Sequence, residues 1–94
     1  MASYWVYILR CGDGSLYTGI ARDVERRLAV HRSGKGAKYT RSHLPLTLVY
    51  REELPDKPAA LRREIAVKRL SHAEKLQLIE SGPPSREKQD RPCP

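Results

Sequence analysis

The sequence predicts an α+β domain: a small, three-stranded, mostly antiparallel sheet flanked by helices, in the order β-β-α-β-α-α. Three observations carry this. An aromatic and β-branched run, Tyr4-Trp5-Val6-Tyr7-Ile8-Leu9, is followed by a glycine turn and a second such run. Three segments open on side chains that cap helices: Asp23, Asp56 and Ser71. A further alternating run, residues 46–53, stands between the first and second of these helices.

In chain order, Tyr4–Leu9 reads as the first strand, and Cys11-Gly12-Asp13-Gly14 as a hairpin turn whose glycines can take positive φ. Ser15–Ile20 returns as the second strand, and Gly19 inside it implies that another group approaches the backbone closely. Asp23 caps a helix with Val24, Leu28 and His31 on one face and Arg26, Arg27 and Arg32 around it, ended by Ser33-Gly34. Residues 35–43 form a polar, basic loop. Leu46–Glu53 is the third strand, with Tyr50 read as core. Asp56 opens a second long helix, with Pro58 tolerated in its first turn, and Leu61 and Ile65 are expected on its buried face. Ser71 and Glu74 form a capping box for the last helix, whose apolar side is Leu76, Leu78 and Ile79 and whose end is Gly82. Tyr4 and Trp5 must face opposite sides of the sheet. One packs inward, and the other is free to offer a stacking surface.

Residues 82–94 hold four of the seven prolines and no aliphatic side chain, so the expected division is a domain over 1–81 and a disordered Pro-rich tail over 82–94. A 94-residue chain is the size of one small domain, too small for a complete dinucleotide-binding fold. No apolar run approaches the ~18–20 residues of a membrane span. The start, Met1-Ala2-Ser3-Tyr4, lacks the pattern of a secretory leader, so the expected compartment is the cytoplasm. Cys11 and Cys93 form neither a metal-ligand spacing nor a disulfide framework.

Eighteen Lys or Arg against eleven Asp or Glu give a formal charge of +7, which favours a polyanionic partner, nucleic acid first. Residues 22–41 concentrate it, with seven cations against two acids. Arg26, Lys35, Lys38, Tyr39 and Arg41 are therefore expected to contact the nucleic-acid backbone.

The motifs sharpen this. Val6-Tyr7-Ile8, ten residues before Tyr17-Thr18-Gly19, resembles the paired tyrosine motifs of the GIY-YIG nuclease domain. The segment Asp23–His31 resembles the Arg-bearing first helix of that family. Gly34–Arg41 and Leu61–Lys68 complete a resemblance to the small bacterial GIY-YIG proteins, spanning roughly residues 3–80. Trp5 and Val6 stand in place of Gly and Ile in the first triplet and Thr18 in place of Ile in the second, but both tyrosines are kept. The late Asn of some larger members has no match.

The resemblance implies an endonuclease that hydrolyses phosphodiester bonds in DNA, with RNA open to the same chemistry. It implies a single divalent metal, Mg²⁺ or Mn²⁺, held by Glu64, and a link to DNA repair or recombination. Tyr17, or alternatively Tyr7, would help activate the attacking water. Arg27 would contact the scissile phosphate, and His31 would assist proton transfer or phosphate binding. A domain this small has little surface with which to read sequence, so selectivity for substrate structure is expected.

Each residue also has a plainer reading. Glu64 and Lys68 are spaced to form an i,i+4 surface ion pair. His31 could pack beside Leu28. Tyr7 and Tyr17 could be half-buried sheet aromatics, since free phenols titrate near ~10 and make poor bases unaided. The competing function is a non-catalytic nucleic-acid-binding module that retains the fold.

Overall fold

The computed structural model describes residues 3–35 and 43–82. Three strands, β1 (Tyr4–Arg10), β2 (Leu16–Ala21) and β3 (Thr47–Leu54), form an antiparallel sheet in the order β2-β1-β3. The helices are α1 (Val24–Arg32), α2 (Lys57–Lys68) and α3 (His72–Ser81). The element order is the one the sequence predicts.

Local chemistry explains the boundaries. The β1–β2 turn closes with Gly14 at φ 89°, while the Asp13 carboxylate accepts from the backbone N–H and hydroxyl of Ser15. The Asp23 carboxylate accepts from the Arg26 N–H at 3.1 Å and starts α1. Asp56 does the same for α2 through Ala59 at 2.9 Å. The Ser71–Glu74 capping box closes reciprocally at 3.1 and 2.8 Å, satisfying two helix-terminal donors. Gly82, at φ 80°, ends α3.

The central strand β1 splits the core in two. Tyr7, Leu9 and Cys11 face α1 and pack with Ala21, Val24 and Leu46. Val6 and Ile8 face the other way and pack with Tyr50, Ala60 and Val67, with Leu78 and Ile79 of α3 against them. This strict alternation is why β1 is apolar throughout: both its faces are covered. Tyr50 is core, as expected. Tyr4 lies on the α2–α3 side with the Arg22 guanidinium 5.9 Å from its ring centre. Trp5 lies on the α1 side under Arg51, which also pairs with Glu25 at 2.8 Å. In β3 the pairing shifts by one residue between Tyr50, opposite Ile8, and Leu48, opposite Leu9.

The buried face of α2 differs from expectation. Leu61 and Ile65 are 40% and 52% exposed, whereas Ala60 and Val67 are fully buried. The inward stripe is Ala60, Arg63, Glu64 and Val67, at the i, i+3, i+4, i+7 spacing of a helix face. A polar contact fixes this rotation. Glu52 is buried on β3, and one oxygen of its carboxylate accepts from the Tyr50 hydroxyl at 2.7 Å and from Arg63 Nε at 3.0 Å. A buried carboxylate is costly unless it is paired, and Arg63 supplies the pair. Turning Leu61 inward would remove it. In α3, Leu76 is likewise exposed, and Leu78 and Ile79 do the packing.

The loop expectations at Lys38, Tyr39 and Arg41, and the tail over 83–94, lie outside the described residues.

Candidate active site

Tyr7 stands in the middle of the central strand, opposite Gly19 on β2. Its ring lies across that glycine: a Cβ at position 19 would sit 2.6 Å from the Tyr7 hydroxyl oxygen and 2.8 Å from ring carbon Cζ. Gly19 therefore answers to a close approach, and the group approaching is the first tyrosine. Tyr17 pairs opposite Leu9 two residues before Gly19, so both tyrosines project from the same face of the sheet.

Helix α1 crosses that face. Val24 and His31, seven residues apart, form its buried side. His31 Nε2 lies 3.0 Å from the Tyr7 hydroxyl, and the hydrogen bond between them runs in the direction set by the histidine tautomer. The His31 ring meets both tyrosines edge to face, at centroid distances of 6.1 Å from Tyr7 and 5.5 Å from Tyr17. Arg27, one turn earlier and exposed, brings a positive charge to the cluster.

The electrostatics follow from this placement. Burial chiefly, then the neighbouring Tyr17 and Glu64, push the Tyr7 phenol well above its ordinary value, against an opposing pull from Arg27. Tyr7 thus stays protonated. Burial, and then the Arg27 charge, hold His31 below the usual imidazole range, so it is neutral near pH 7. The cluster pairs a locked phenol with a neutral imidazole, the side chain whose proton equilibrium lies closest to neutrality.

Glu64 arrives from α2, the helix that packs against the edge strand β2 as well as against β1. Its side chain is largely covered, and its Oε2 lies 3.4 Å from Lys68 Nζ, so the i,i+4 ion pair allowed by the spacing is made. Its charge still reaches Tyr7. Among the described residues no group of three or more His, Cys, Asp or Glu gathers as a metal cage. A single carboxylate, one oxygen of which pairs with Lys68, fits a hard divalent ion that keeps several waters and takes its other oxygens from a phosphate. It does not fit zinc in a closed protein site.

The structure thus gathers Tyr7, Tyr17 and His31 on one face of the sheet with Arg27 one helical turn from the histidine, while Glu64 comes from α2 on the other face and reaches Tyr7 through its charge. Arg26 is exposed on α1, and Lys35 follows Gly34 at the helix end. The sequence reading overlooked Arg22 and Lys57, which line a cleft together with Arg26 and Arg27. No local pattern links positions 22 and 57. Only the fold joins them.

Two tyrosines on adjacent strands, faced by a helix that carries an Arg–His pair one turn apart, define the GIY-YIG class of domain. The family model for the GIY-YIG catalytic domain matches residues 3–77, and the chain belongs to that family. It is 55% identical over 75 residues to a UPF0213 protein of Streptococcus sanguinis, covering 80% of this chain and 86% of the relative. It is 49% identical to a UPF0213 protein of Staphylococcus aureus over 79 residues, 84% of this chain and 96% of the relative. Among solved structures it superposes on the solution structure of the Bacillus halodurans UPF0213 protein with a TM-score of 0.56, at 51% identity over 84% of each chain. A protein of E. faecalis gives a TM-score of 0.60 at 32% identity, covering 100% of this chain and 98% of that one. Among the described residues no helix is long and apolar enough to cross a membrane.

Proposed function

We propose that the chain is a divalent-metal-dependent endonuclease that hydrolyses phosphodiester bonds in DNA, with selectivity for substrate structure and a role in repair or recombination in the cytoplasm. The observation that carries this reading is the Tyr7–His31–Tyr17 cluster, with Arg27 one turn from the histidine and Glu64 within electrostatic reach.

Hydrolysis needs a water deprotonated as it attacks phosphorus, a charged phosphate stabilised, and a proton for the departing oxygen. Tyr17, half-buried on the edge strand, is the tyrosine that faces substrate and orients the water. Tyr7, buried and bonded to His31, holds the imidazole in place. Neutral His31 is the group in this cluster able to receive the water's proton at neutral pH. Arg27 presents its guanidinium fork to the non-bridging phosphate oxygens. As the ester P–O bond breaks, the departing oxygen takes a proton from solvent. Glu64 would hold the ion, Mg²⁺ or Mn²⁺, releasing Lys68 as it does so. When bound, the ion neutralises charge on the phosphate.

The test is incubation of the full chain with supercoiled plasmid and with branched DNA, in Mg²⁺ or in chelator. Nicking that needs the metal and is lost in Arg27→Ala supports the reading. Binding without cleavage on every substrate would replace it with the non-catalytic nucleic-acid module.

A further inference from the structure

The candidate active site has a cleft on each side of it, and both clefts open along the edge strand β2. At the C-terminal end of that strand a cleft of about 820 Å³ is floored by Tyr4, Ile20 and Ala21. Four cations line it: Arg22, Arg26, Arg27 and Lys57. Its one carboxylate, Asp23, is committed to capping α1. At the N-terminal end of β2 a second cleft, of about 410 Å³, is lined by Leu16, Tyr17 and Thr18 together with Lys68 and Lys75. The first cleft contains Arg27, and the second contains Tyr17.

Helix α2 gives the same order independently. It begins at Lys57 in the first cleft and ends at Lys68 in the second, with Glu64 between them on its inward stripe. At ~1.5 Å per residue, α2 carries its two terminal lysines about 16 Å apart. The β2 residues of the two clefts, Tyr17 and Ala21, are about 13 Å apart at ~3.3 Å per residue. Strand and helix therefore set out one track, positive at both ends and bearing the candidate chemistry in the middle. Because a stacked nucleic-acid strand advances ~3.4 Å per nucleotide, the track spans about four nucleotides.

We propose that one strand of the nucleic acid lies along β2, its phosphates held by Arg22, Arg26 and Lys57 on one side of the scissile bond and by Lys68 and Lys75 on the other. This rests on the nuclease reading and extends it. It adds to the basic residues expected after α1 an edge of the sheet whose cations come from four separate stretches of chain. Tyr4, under Arg22, offers a ring beside the first cleft on which a base can stack.

Binding measured without cleavage tests the track separately from the chemistry. The full chain is titrated into a fluorescein-labelled 20-nucleotide DNA strand in chelator, by anisotropy, over a series of NaCl concentrations. Each phosphate contact removed should lower the slope of log K against log salt by about 0.7 for a single strand. Arg22→Met, Lys57→Met and Lys75→Met should each do so, and Lys57→Met/Lys75→Met should lose about twice as much. Arg62→Met removes the same charge from the exposed side of α2 and should leave the slope unchanged. Thermal melts confirm that each variant is folded. If Arg62→Met lowers the slope as much as the cleft variants, if the cleft variants leave it unchanged, or if the strand does not bind, the track is wrong. Loss of cleavage alone bears on the nuclease reading and leaves the track standing.

Discussion

The hydroxyl of Tyr7 and Nε2 of His31 lie 3.0 Å apart in the interior, joining the central strand to the first helix. The contact separates the two tyrosines by task, since Tyr7 is buried and engaged while Tyr17 stands at the sheet edge beside solvent. Tyr7→Phe should remove the buried hydrogen bond that joins strand to helix and cost about 1 kcal/mol of stability. Tyr17→Phe should lower cleavage by about 10²-fold or more. Urea unfolding and plasmid nicking on both variants check this. Equal effects on activity would remove the division of roles.

Gly19 has room for hydrogen only. Gly19→Ala places a methyl within 2.6 Å of the Tyr7 hydroxyl, so ring or strand must move. Overpacking of this kind costs about 1–3 kcal/mol, and here it should also break the Tyr7–His31 contact. The expected outcome is a lower urea midpoint together with a shifted His31 imidazole resonance. A melt and spectrum like the parent's would contradict the close approach.

The buried state of His31 has a pH signature. Its folded-state pKa lies below the unfolded value of about 6.5, so in acid the unfolded chain binds more protons. This contribution to stability is complete above about pH 6.5 and is lost as the pH falls from there toward the folded value. The Tm should drop between pH 7.5 and pH 5, and His31→Gln should show a smaller drop. An unchanged drop in His31→Gln would assign it to other groups.

The rotation of α2 depends on Arg63. Arg63→Met takes the guanidinium away from the buried Glu52 carboxylate, at a cost of about 2 kcal/mol once the partial exposure of Arg63 is allowed for. Adding Glu52→Gln should recover part of that loss in urea unfolding. Because Glu64 shares the stripe, Arg63→Met should also weaken the metal response.

Much of this was legible in the residues. Caps at Asp23, Asp56 and Ser71 gave the helix starts because a side-chain oxygen on a free N–H is local chemistry. The alternation of β1 and the anomaly of Gly19 were readable for the same reason. The inward stripe of α2 was not. Two of its four members, Arg63 and Glu64, are charged, and Leu61 and Ile65 offered a more apolar alternative at a similar spacing. Only the buried Glu52 across the sheet decides between them. The two clefts along β2 were hidden likewise, because their cations meet only after folding.

The central claim is that Glu64 supplies the metal site of a nuclease built on Tyr17, Arg27 and His31. The most direct measurement is metal-dependent nicking of supercoiled plasmid by the parent chain and by Glu64→Gln, alongside the Mg²⁺-induced shift in Tm. The account predicts nicking that chelator abolishes, and in Glu64→Gln a loss of about 10²-fold or more together with loss of the thermal shift. A Glu64→Gln variant that nicks and responds to Mg²⁺ like the parent would contradict it.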